Sequence, residues 1–301
     1  MRHVPVLLNE VLENLNLQSG KYVIDCTLGD AGHSEKILEK IGYDGRLLGI
    51  DADPEAILRA KRYLNKFSSQ TILVRGNFEN LKNIVAENSF VPDAILIDLG
   101  WSTPQFSERG RGFSFLHPEE ELDMRYSEEV ISTAADVLNT RTAKELANIF
   151  KDYGEEKFSA PIAEMIVEKR KAGKSFATVA DLVETILQVY RQKLNTEKEV
   201  PWIGGLHPAT KVFQALRIEV NNELGVLQTV LPQAVEILKS DGRLAVITFH
   251  SLEDRIVKHY FKKQNNKNLK IINKKPIICG EEEGKNNPPS RSAKLRVIEK
   301  I

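Results

Sequence analysis

The chain has 301 residues, of which 42% are apolar and 28% charged, and its 42 basic and 42 acidic residues give a formal net charge of zero. This composition is typical of a soluble globular protein with one large or two smaller domains. No apolar run approaches a membrane span, and the first residues lack a signal-peptide core. The two cysteines, Cys26 and Cys279, lie far apart, which argues against a disulfide framework or a metal site and favours a cytoplasmic location.

The charge is distributed unevenly along the chain. Residues 255–301 hold 13 lysines and arginines but only 4 carboxylates, a net +9, so residues 1–254 carry −9. Such asymmetry indicates a polyanionic partner such as a nucleic acid. A solvated lysine-rich tail is the alternative interpretation.

The segment from Tyr22 to Pro54 predicts a strand, a glycine-bearing loop, a helix and a second strand. An apolar run leads into the loop with Gly29 and Gly32, and the second apolar run ends on Asp51. This is the layout of a nucleoside-binding βαβ unit. Glycine lets the backbone come close to a ligand, and a carboxylate at the tip of the second strand accepts hydrogen bonds from ribose hydroxyls.

The loop itself differs from the dinucleotide-binding pattern. It reads Gly29-Asp-Ala-Gly32 rather than G-x-G-x-x-G, and Asp30 would repel a pyrophosphate. A loop that keeps an acid suits a cationic ligand, and S-adenosylmethionine carries both a sulfonium and an ammonium group. Another nucleotide, or a purely structural loop, remains the alternative at this point.

Two further strands are predicted to end at the same edge of the sheet. The strand over residues 71–74 leads to Phe78, which lies where an adenine ring would rest, although a core phenylalanine is an equal alternative. The buried strand over residues 93–98 ends on Asp98. The loop that follows, residues 99–115, is rich in aromatic residues, arginine and glycine, so we expect it to face a substrate.

The alternation of strands and helices stops after this loop and resumes later. Residues 116–206 show only helical spacing and predict an all-helical insertion into an α/β core formed by residues 1–115 and 207–301. A long helix over 209–238 and a fifth strand then lead to His250, with Ser251 and Asp254 as a capping-box candidate. Two final strands, over 269–278 and 293–298, flank a mobile loop over 280–289.

Motifs spread over nearly the whole chain resemble a known family, the bacterial small-subunit ribosomal RNA (cytosine-N4)-methyltransferases of the RsmH or MraW type. The motifs that carry the resemblance are His3-Val-Pro-Val-Leu-Leu-Asn-Glu10, Gly32-His-Ser34, Asp98-Leu-Gly100, Ser102-Thr-Pro-Gln105, Arg111-Gly-Phe-Ser-Phe115, Leu122-Asp-Met-Arg125, Tyr153-Gly-Glu-Glu156, His207-Pro-Ala-Thr210, Phe213-Gln-Ala-Leu-Arg-Ile218, Phe249-His-Ser-Leu-Glu-Asp-Arg255 and Arg291-Ser-Ala-Lys-Leu-Arg296. So many motifs in the same order make the resemblance highly specific.

The resemblance implies a class I (Rossmann-like) methyltransferase fold with an inserted all-helical substrate domain. It also implies S-adenosylmethionine as methyl donor and a decoding-centre cytidine of 16S rRNA as acceptor. The implied donor site, with Gly29 of the loop added, comprises Gly29, Ala31, Gly32, His33, Asp51, Phe78, Asp98 and Gln105. The chain departs from the family at Ala31, where a second glycine is usual, and at Trp101, where a small aliphatic residue is common. We expect Ala31 to fit with a negative φ.

The expected chemistry is an in-line displacement by the cytosine N4 amine, which requires neither a metal nor a covalent intermediate. Asp98, Ser102 and His250 are the candidate acceptors around the amine. Candidates for contact with the substrate base are Trp101, Phe106, Arg109, Arg111, Phe113 and Arg125. Candidates for contact with phosphates are Arg291, Lys294 and Arg296.

The rival interpretations are an NAD-dependent oxidoreductase, a small-molecule N-methyltransferase and a non-catalytic RNA-binding assembly factor. The sequence leaves the oligomeric state open.

Overall fold

A computed structural model of the protein describes residues 4–100, 110–127, 129–197, 200, 202–203, 205–265 and 267–301. They form two compact units, Met1–Ser102 with Leu224–Ile301, and Thr103–Glu223. The insertion boundaries expected from the sequence, 116 and 206, fall inside the second unit. No helix in the described ranges is long and apolar enough to cross a membrane.

The first unit contains a seven-stranded sheet in the order β3-β2-β1-β4-β5-β7-β6. The strands are β1 (Tyr22–Asp25), β2 (Arg46–Asp51), β3 (Thr71–Arg75), β4 (Ala94–Asp98), β5 (Arg243–Thr248), β6 (Leu269–Ile271) and β7 (Lys294–Lys300). Strands β1 to β5 pair in parallel, and β7 runs antiparallel to both β5 and β6. The predicted α/β class is therefore confirmed.

Twelve α-helices lie in the described part of the chain. They are α1 (Leu8–Asn14), α2 (Gly32–Ile41), α3 (Pro54–Tyr63), α4 (Leu81–Glu87), α5 (Ala134–Thr140), α6 (Ala143–Asp152), α7 (Ser159–Lys171), α8 (Val179–Leu194), α9 (Thr210–Asn221), α10 (Glu223–Ile237), α11 (Ser251–Gln264) and α12 (Glu281–Asn286). Helix α3 begins with two features typical of a helix start. The side chain of Asp53 accepts hydrogen bonds from two backbone N–H groups, and Pro54 occupies the first helical position.

Helices cover both faces of the sheet. Side chains alternate along each strand, so Val23 of β1 joins a core cluster with α1, α2 and α3, while Ile24 joins one with α4, α10 and α11. The central parallel strands are buried on both faces, which explains their nearly continuous apolar sequences. Because helices cover both faces, a ligand would bind beyond the polar carboxyl ends of these strands.

The regular secondary-structure elements of the second unit are all helices over its described residues, and only isolated β-bridges occur beside them. Helices α5 to α9 lie within it around their own core cluster, which includes Phe150 and Phe176. Three of these helices begin with capping boxes, formed by Thr133 with Asp136, Thr142 with Glu145, and Thr178 with Asp181. The expectation of a helical segment between β4 and β5 agrees with this arrangement, and its role in substrate recognition stays a prediction.

The single long helix expected over residues 209–238 is wrong. Helix α9 ends before Asn222, which adopts a left-handed conformation with φ of 49°, and α10 begins at the next residue. Asparagine tolerates this conformation better than most residues and often ends helices. The apolar spacing continues across the break, so periodicity alone did not reveal it.

The mobile loop expected over residues 280–289 is also wrong. This segment contains α12, and Glu283 accepts a hydrogen bond from the backbone N–H of Leu7 at 2.7 Å. The Asn287 side-chain amide donates to the carbonyl of Val4 at 3.2 Å. The segment therefore holds the residues that precede α1 in place.

Candidate active site at the carboxyl ends of the strands

Asp51 joins the loop after β1 to the end of β2. Its Oδ2 accepts the backbone N–H of Gly29 at 2.8 Å, and its Oδ1 accepts the backbone N–H of Asp53 at 2.9 Å. Gly29 has φ of +50°, a conformation that favours glycine. Because a carboxylate offers about four acceptor positions, each oxygen of Asp51 keeps capacity for one more donor. This is the arrangement needed to receive two adjacent ribose hydroxyls.

The electrostatic environment of Asp51 disfavours its charge. Burial raises the pKa of Asp51 to about 6, and the backbone hydrogen bonds from Asp53 and Gly29 only partly oppose this effect. The carboxylates of Asp53 and Asp25 make a smaller contribution to the same increase. A ligand that donates hydrogen bonds to Asp51 therefore stabilises its ionised form.

A buried network that the sequence analysis missed connects the ends of β1 and β4. Asp25 accepts the hydroxyl of Ser34 at 2.6 Å and the backbone N–H of Thr27 at 3.1 Å. The Thr27 hydroxyl oxygen in turn accepts the backbone N–H of Asp98 at 2.8 Å. Asp25 is an acid at a strand end, as Asp51 and Asp98 are, and that signal was available in the sequence.

Asp98 is a buried carboxylate with unused hydrogen-bonding capacity. Among the described residues its Oδ1 has no hydrogen-bond partner, and its Oδ2 lies 3.6 Å from Nδ1 of His33. Burial raises the pKa of Asp98 well above its ordinary value, and the carboxylates of Asp25 and Glu253 raise it further. A cationic ligand at this position would relieve the repulsion among these acids.

His33 lies between Asp98 and the segment that precedes α1. Its Nε2 is 2.9 Å from the carbonyl oxygen of Val6. A carbonyl only accepts hydrogen bonds, so Nε2 carries a proton and Nδ1 is directed toward Asp98. The ring is 6% exposed, so this orientation is fixed by packing. The side chain of His33 thus lies beside Asp98, and its contact with the methyl donor stays a prediction.

The backbone at Ala31 and Gly32 brings the loop close to its neighbours. Ala31 has φ of +57°, so the expectation that it adopts a negative φ is wrong. Its backbone N–H donates to the carbonyl of Leu28 at 2.7 Å and its side chain is fully buried, and these contacts hold the conformation. A Cβ on Gly32 would lie 3.0 Å from the ring of Pro5, which leaves little room for a larger residue there.

Asp30 does not supply the negative charge that the sequence analysis assigned to it. Its Oδ1 accepts the Nε–H of Arg59 at 2.7 Å, and it is only 8% exposed. Arg59 also lies 3.6 Å from Asp53. The charge of Asp30 is therefore balanced by Arg59, and the carboxylates available to a cation are those at the strand ends.

His250 lies at the expected edge of the sheet but has a structural role in addition. Residue pairing aligns Asp98 of β4 with Ile247 of β5, so His250 follows close to the end of β4. It is the N-cap of α11 and forms a capping box with Glu253, so the predicted box of Ser251 with Asp254 is wrong. Its Nε2 lies 3.1 Å from Glu253 Oε1 but makes no hydrogen bond among the described residues.

Phe78 lies just beyond β3, at the same edge as Asp51. The backbone N–H of Gly76 donates to the carbonyl of Asp51 at 2.9 Å, which fixes the start of this turn. Phe78 is half-buried and packs against the core cluster of β1 and β2. One part of the ring is thus in the core while another is accessible, and an adenine contact stays a prediction.

Three residues predicted to contact the substrate base belong to the helical unit. Asp123 binds the guanidinium of Arg125 through two hydrogen bonds, at 2.7 and 2.8 Å. Arg111 donates to the backbone carbonyl of Arg125 at 3.2 Å, and Phe113 stacks on Tyr126 with ring centroids 5.8 Å apart. These contacts give Arg111, Phe113 and Arg125 a structural role, and their contact with a base stays a prediction.

The predicted phosphate ligands need correction at Arg296. It is 7% exposed and donates to both oxygens of Asp254, at 2.7 and 3.1 Å, so it is unavailable to RNA. Lys294 lies 3.9 Å from the same carboxylate. Arg291 is exposed and donates through Nε to the carbonyl of Gly284 at 2.6 Å, so it and Lys294 stay predictions.

Five further predicted residues lie outside the described ranges. They are Trp101, Ser102, Gln105, Phe106 and Arg109. Their predicted contacts with the methyl donor and the substrate base therefore stay predictions.

Comparison with known proteins identifies the family. The chain matches the model of the MraW methylase family over residues 1–301. Three similar proteins, each named ribosomal RNA small subunit methyltransferase H, come from Dictyoglomus thermophilum, Clostridioides difficile and Carboxydothermus hydrogenoformans. The first is 48% identical over 99% of this chain and 96% of its own length. The other two are 44% identical over 99% of this chain and 99% and 98% of their own lengths.

These matches confirm the resemblance inferred from the motifs. They confirm that the protein is a methyltransferase of the class I type whose donor is S-adenosylmethionine. The alternative of an NAD-dependent oxidoreductase has no support, because the methylase family model matches the whole chain. The chain belongs to the MraW methylase family.

Proposed function

We propose that this protein transfers a methyl group from S-adenosylmethionine to the N4 amine of a decoding-centre cytidine in 16S ribosomal RNA. Family membership and the names of the similar proteins support the reaction class and the RNA substrate. The choice of the N4 amine and of the decoding centre rests on the family resemblance. The cytoplasm, where ribosomal RNA is assembled into subunits, is the proposed location.

The observation that carries the proposal is the group of acids at the ends of three adjacent parallel strands. Asp51 has free acceptor capacity on both oxygens, and Asp98 has a buried oxygen without a partner among the described residues. These features fit the two polar ends of the donor, because its ribose donates hydrogen bonds and its methionine part is cationic. The residues present therefore fit the group that the family implies.

The residues of the protein would bind and orient the methyl donor and the substrate amine, and they would form no covalent bond with either. When bound, S-adenosylmethionine supplies a methyl group on a sulfonium, which is already a good leaving group. Asp51 would hold the ribose, and Asp98, fixed by Thr27 and flanked by His33, would stabilise positive charge. Holding the amine in line with the methyl at near-attack distance accounts for much of the rate. Acceptors beside the amine help its delocalised lone pair to become nucleophilic.

The cysteines argue against methylation at carbon 5 of the base, which requires a thiol nucleophile. Cys26 is 1% exposed, and burial raises the pKa of its thiol well above the ordinary value. A buried, protonated thiol is a poor nucleophile. Cys279 lies in the segment between β6 and α12, and neither the loop after β4 nor the turn at His250 contains a cysteine. The exocyclic amine is the better candidate.

The direct test is to map methyl groups by mass on ribosomal RNA from a strain that lacks this protein. We expect the loss of one methyl from a single cytidine near the decoding centre, and its return when purified protein and S-adenosylmethionine are added to that RNA. Unchanged methylation in the deletion strain, or a methyl on carbon 5 or on the ribose, would contradict the proposal.

A separate prediction distinguishes the two roles open to His250. In His250→Ala both the imidazole and the N-cap of α11 are lost, whereas His250→Asn keeps a side chain that caps helices well. If the imidazole takes part in the reaction at the amine, turnover should fall about 10-fold or more in both variants, because positioned acid–base groups contribute about 10²–10⁴-fold. Methyl incorporation into RNA measures turnover, and thermal unfolding measures the cap. Normal turnover in His250→Asn with lower stability in His250→Ala would assign His250 to the cap alone.

A further inference from the structure

Helix α11 carries basic side chains along one face. Arg255, Lys258, His259, Lys262 and Lys263 are spaced at i, i+3, i+4, i+7 and i+8, and all five are exposed. Residues at these spacings lie on one side of a helix. We call this set the cationic stripe. It extends about 12 Å along the helix axis, given a rise of about 1.5 Å per residue.

The acids of the same helix do not balance the stripe. Glu253 is 3% exposed and accepts the backbone N–H of Phe249 at 2.8 Å. Asp254 is bound by both donors of Arg296 on β7. Both carboxylates thus bind groups within the protein at the first turn of the helix, and the exposed face of the helix carries the basic side chains.

The lysines of the stripe have no counter-charge within the described part of the chain. Lys258, Lys262 and Lys263 make no ion pair or hydrogen bond with the described residues, whereas Lys36, Lys66 and Lys82 of the same unit each lie within 4.0 Å of a glutamate. Like charges at i and i+4, such as Lys258 and Lys262, destabilise a helix by about 0.2–0.5 kcal/mol per pair. Lys262 and Lys263 lie in the last turn, where positive charge is favourable to a helix, but no acid in the described part of the chain pairs with the three lysines. This favours an external polyanion as their partner.

The position of the stripe favours RNA over other polyanions. Helix α11 begins at the edge of the sheet that carries Asp98, since Asp98 pairs with Ile247 and His250 caps the helix. The apolar side of the helix, including Val257 and Phe261, is buried in the core. The exposed side of the helix is thus charged rather than apolar, which favours recognition by charge over insertion into a bilayer. A chain of phosphates leading away from the reacting base fits both facts.

We propose that the cationic stripe binds the phosphate backbone of the substrate RNA next to the nucleotide that is methylated. This inference rests on the proposed function, because it takes ribosomal RNA as the substrate. It assigns the phosphate contacts to Lys258, Lys262 and Lys263, in place of Arg296. The stripe positions RNA and has no part in methyl transfer itself.

The test compares two triple variants of the full-length protein with the same change in charge. Lys258→Gln, Lys262→Gln and Lys263→Gln remove the stripe lysines, and Lys36→Gln, Lys66→Gln and Lys82→Gln remove lysines that have acidic neighbours. The affinity for a transcript of small-subunit ribosomal RNA is measured from 50 to 200 mM salt. Each lost phosphate contact lowers the slope of log affinity against log salt by about 0.7–0.9, so the stripe variant should lose about 2–3.

The kinetics of methyl transfer should also differ between the stripe variant and the control variant. At 150 mM salt we expect KM for RNA to rise about 10-fold or more in the stripe variant, with kcat and the affinity for S-adenosylmethionine unchanged. The control variant should behave as the wild type does. Equal salt slopes in the two variants would overturn the proposal, and so would a loss of binding to phosphatidylserine vesicles without a loss of binding to RNA. A wild-type protein that binds ribosomal RNA without methylating it would instead contradict the proposed function, while the RNA-binding role of the stripe would still hold.

Discussion

Replacing Asp98 by asparagine should remove most methyl transfer while leaving the empty protein at least as stable as the wild type. The Asp98 carboxylate is buried beside Asp25 and Glu253, which raise its pKa, and Oδ1 lacks a partner in the described part of the chain. Asparagine keeps the shape and removes the charge that the fold disfavours. The positive charge that develops on the attacking amine in the transition state loses its counter-charge, and such electrostatic contributions are worth about 10²–10³-fold in rate.

A matched control lies at the opposite end of the same strand. Asp93 precedes β4, and although burial alone would raise its pKa, hydrogen bonds from the backbone N–H of Tyr22, from Lys239 and from Lys21 hold that pKa below its usual range. A lowered pKa means that the ionised group stabilises the fold above its ordinary pKa, so stability is lost in Asp93→Asn at neutral pH. That variant should therefore unfold at lower temperature but keep normal turnover per folded molecule.

Two measurements separate these outcomes. Thermal unfolding without ligand should rank Asp98→Asn at or above the wild type and Asp93→Asn below it. Single-turnover methyl transfer at saturating donor should be slow in Asp98→Asn alone, which would assign the loss to chemistry rather than to donor affinity. Normal transfer in Asp98→Asn would remove the carboxylate from the site.

The strand-end acids were predictable because they follow from two local signals. An apolar run of four to six residues that stops at an acid, as at Asp51 and Asp98, gives both the strand and its polar end. Parallel strands then bring those ends to one edge of the sheet, whatever the details of packing. Asp25 satisfies the same rule, because it ends β1 directly before the glycine-bearing loop.

The partners of charged residues were not predictable in the same way. Arg59 is 29 positions from Asp30, and Arg296 is 42 positions from Asp254, so no local pattern pairs them. Both pairings depend on how a helix or an antiparallel strand packs against its neighbour. For this reason ligand-binding roles were predicted for Asp30 and Arg296, whereas in the fold both residues form internal ion pairs. The left-handed backbone at Ala31 was missed for a related reason, since it depends on tertiary contacts of the loop.

The affinity for the methyl donor should depend on pH through Asp51. Its pKa is about 6 in the empty protein, against an ordinary value of 3.8, mainly because of burial and despite hydrogen bonds from Asp53 and Gly29. A raised pKa means that this group favours the fold most when protonated, so its contribution to stability is lost as pH rises through 6. Donor binding has the opposite sign, because ribose hydroxyls need the ionised carboxylate as acceptor.

Calorimetric titration with S-adenosylhomocysteine from pH 5 to 8 measures this dependence, since that product keeps the ribose. We expect a constant Kd above about pH 7 and a rise approaching about 10-fold per pH unit below 6, where one proton must leave on binding. Asp51→Asn should bind about 10–100-fold more weakly at pH 8, because hydrogen bonds to charged groups contribute about 1.5–3 kcal/mol. It should also lose the part of the pH dependence that comes from Asp51, whereas any part that comes from Asp25 or Asp98 should be the same in both proteins. If the wild type and Asp51→Asn show the same dependence, the titrating group is one of those two acids, and Asp51 does not hold the ribose.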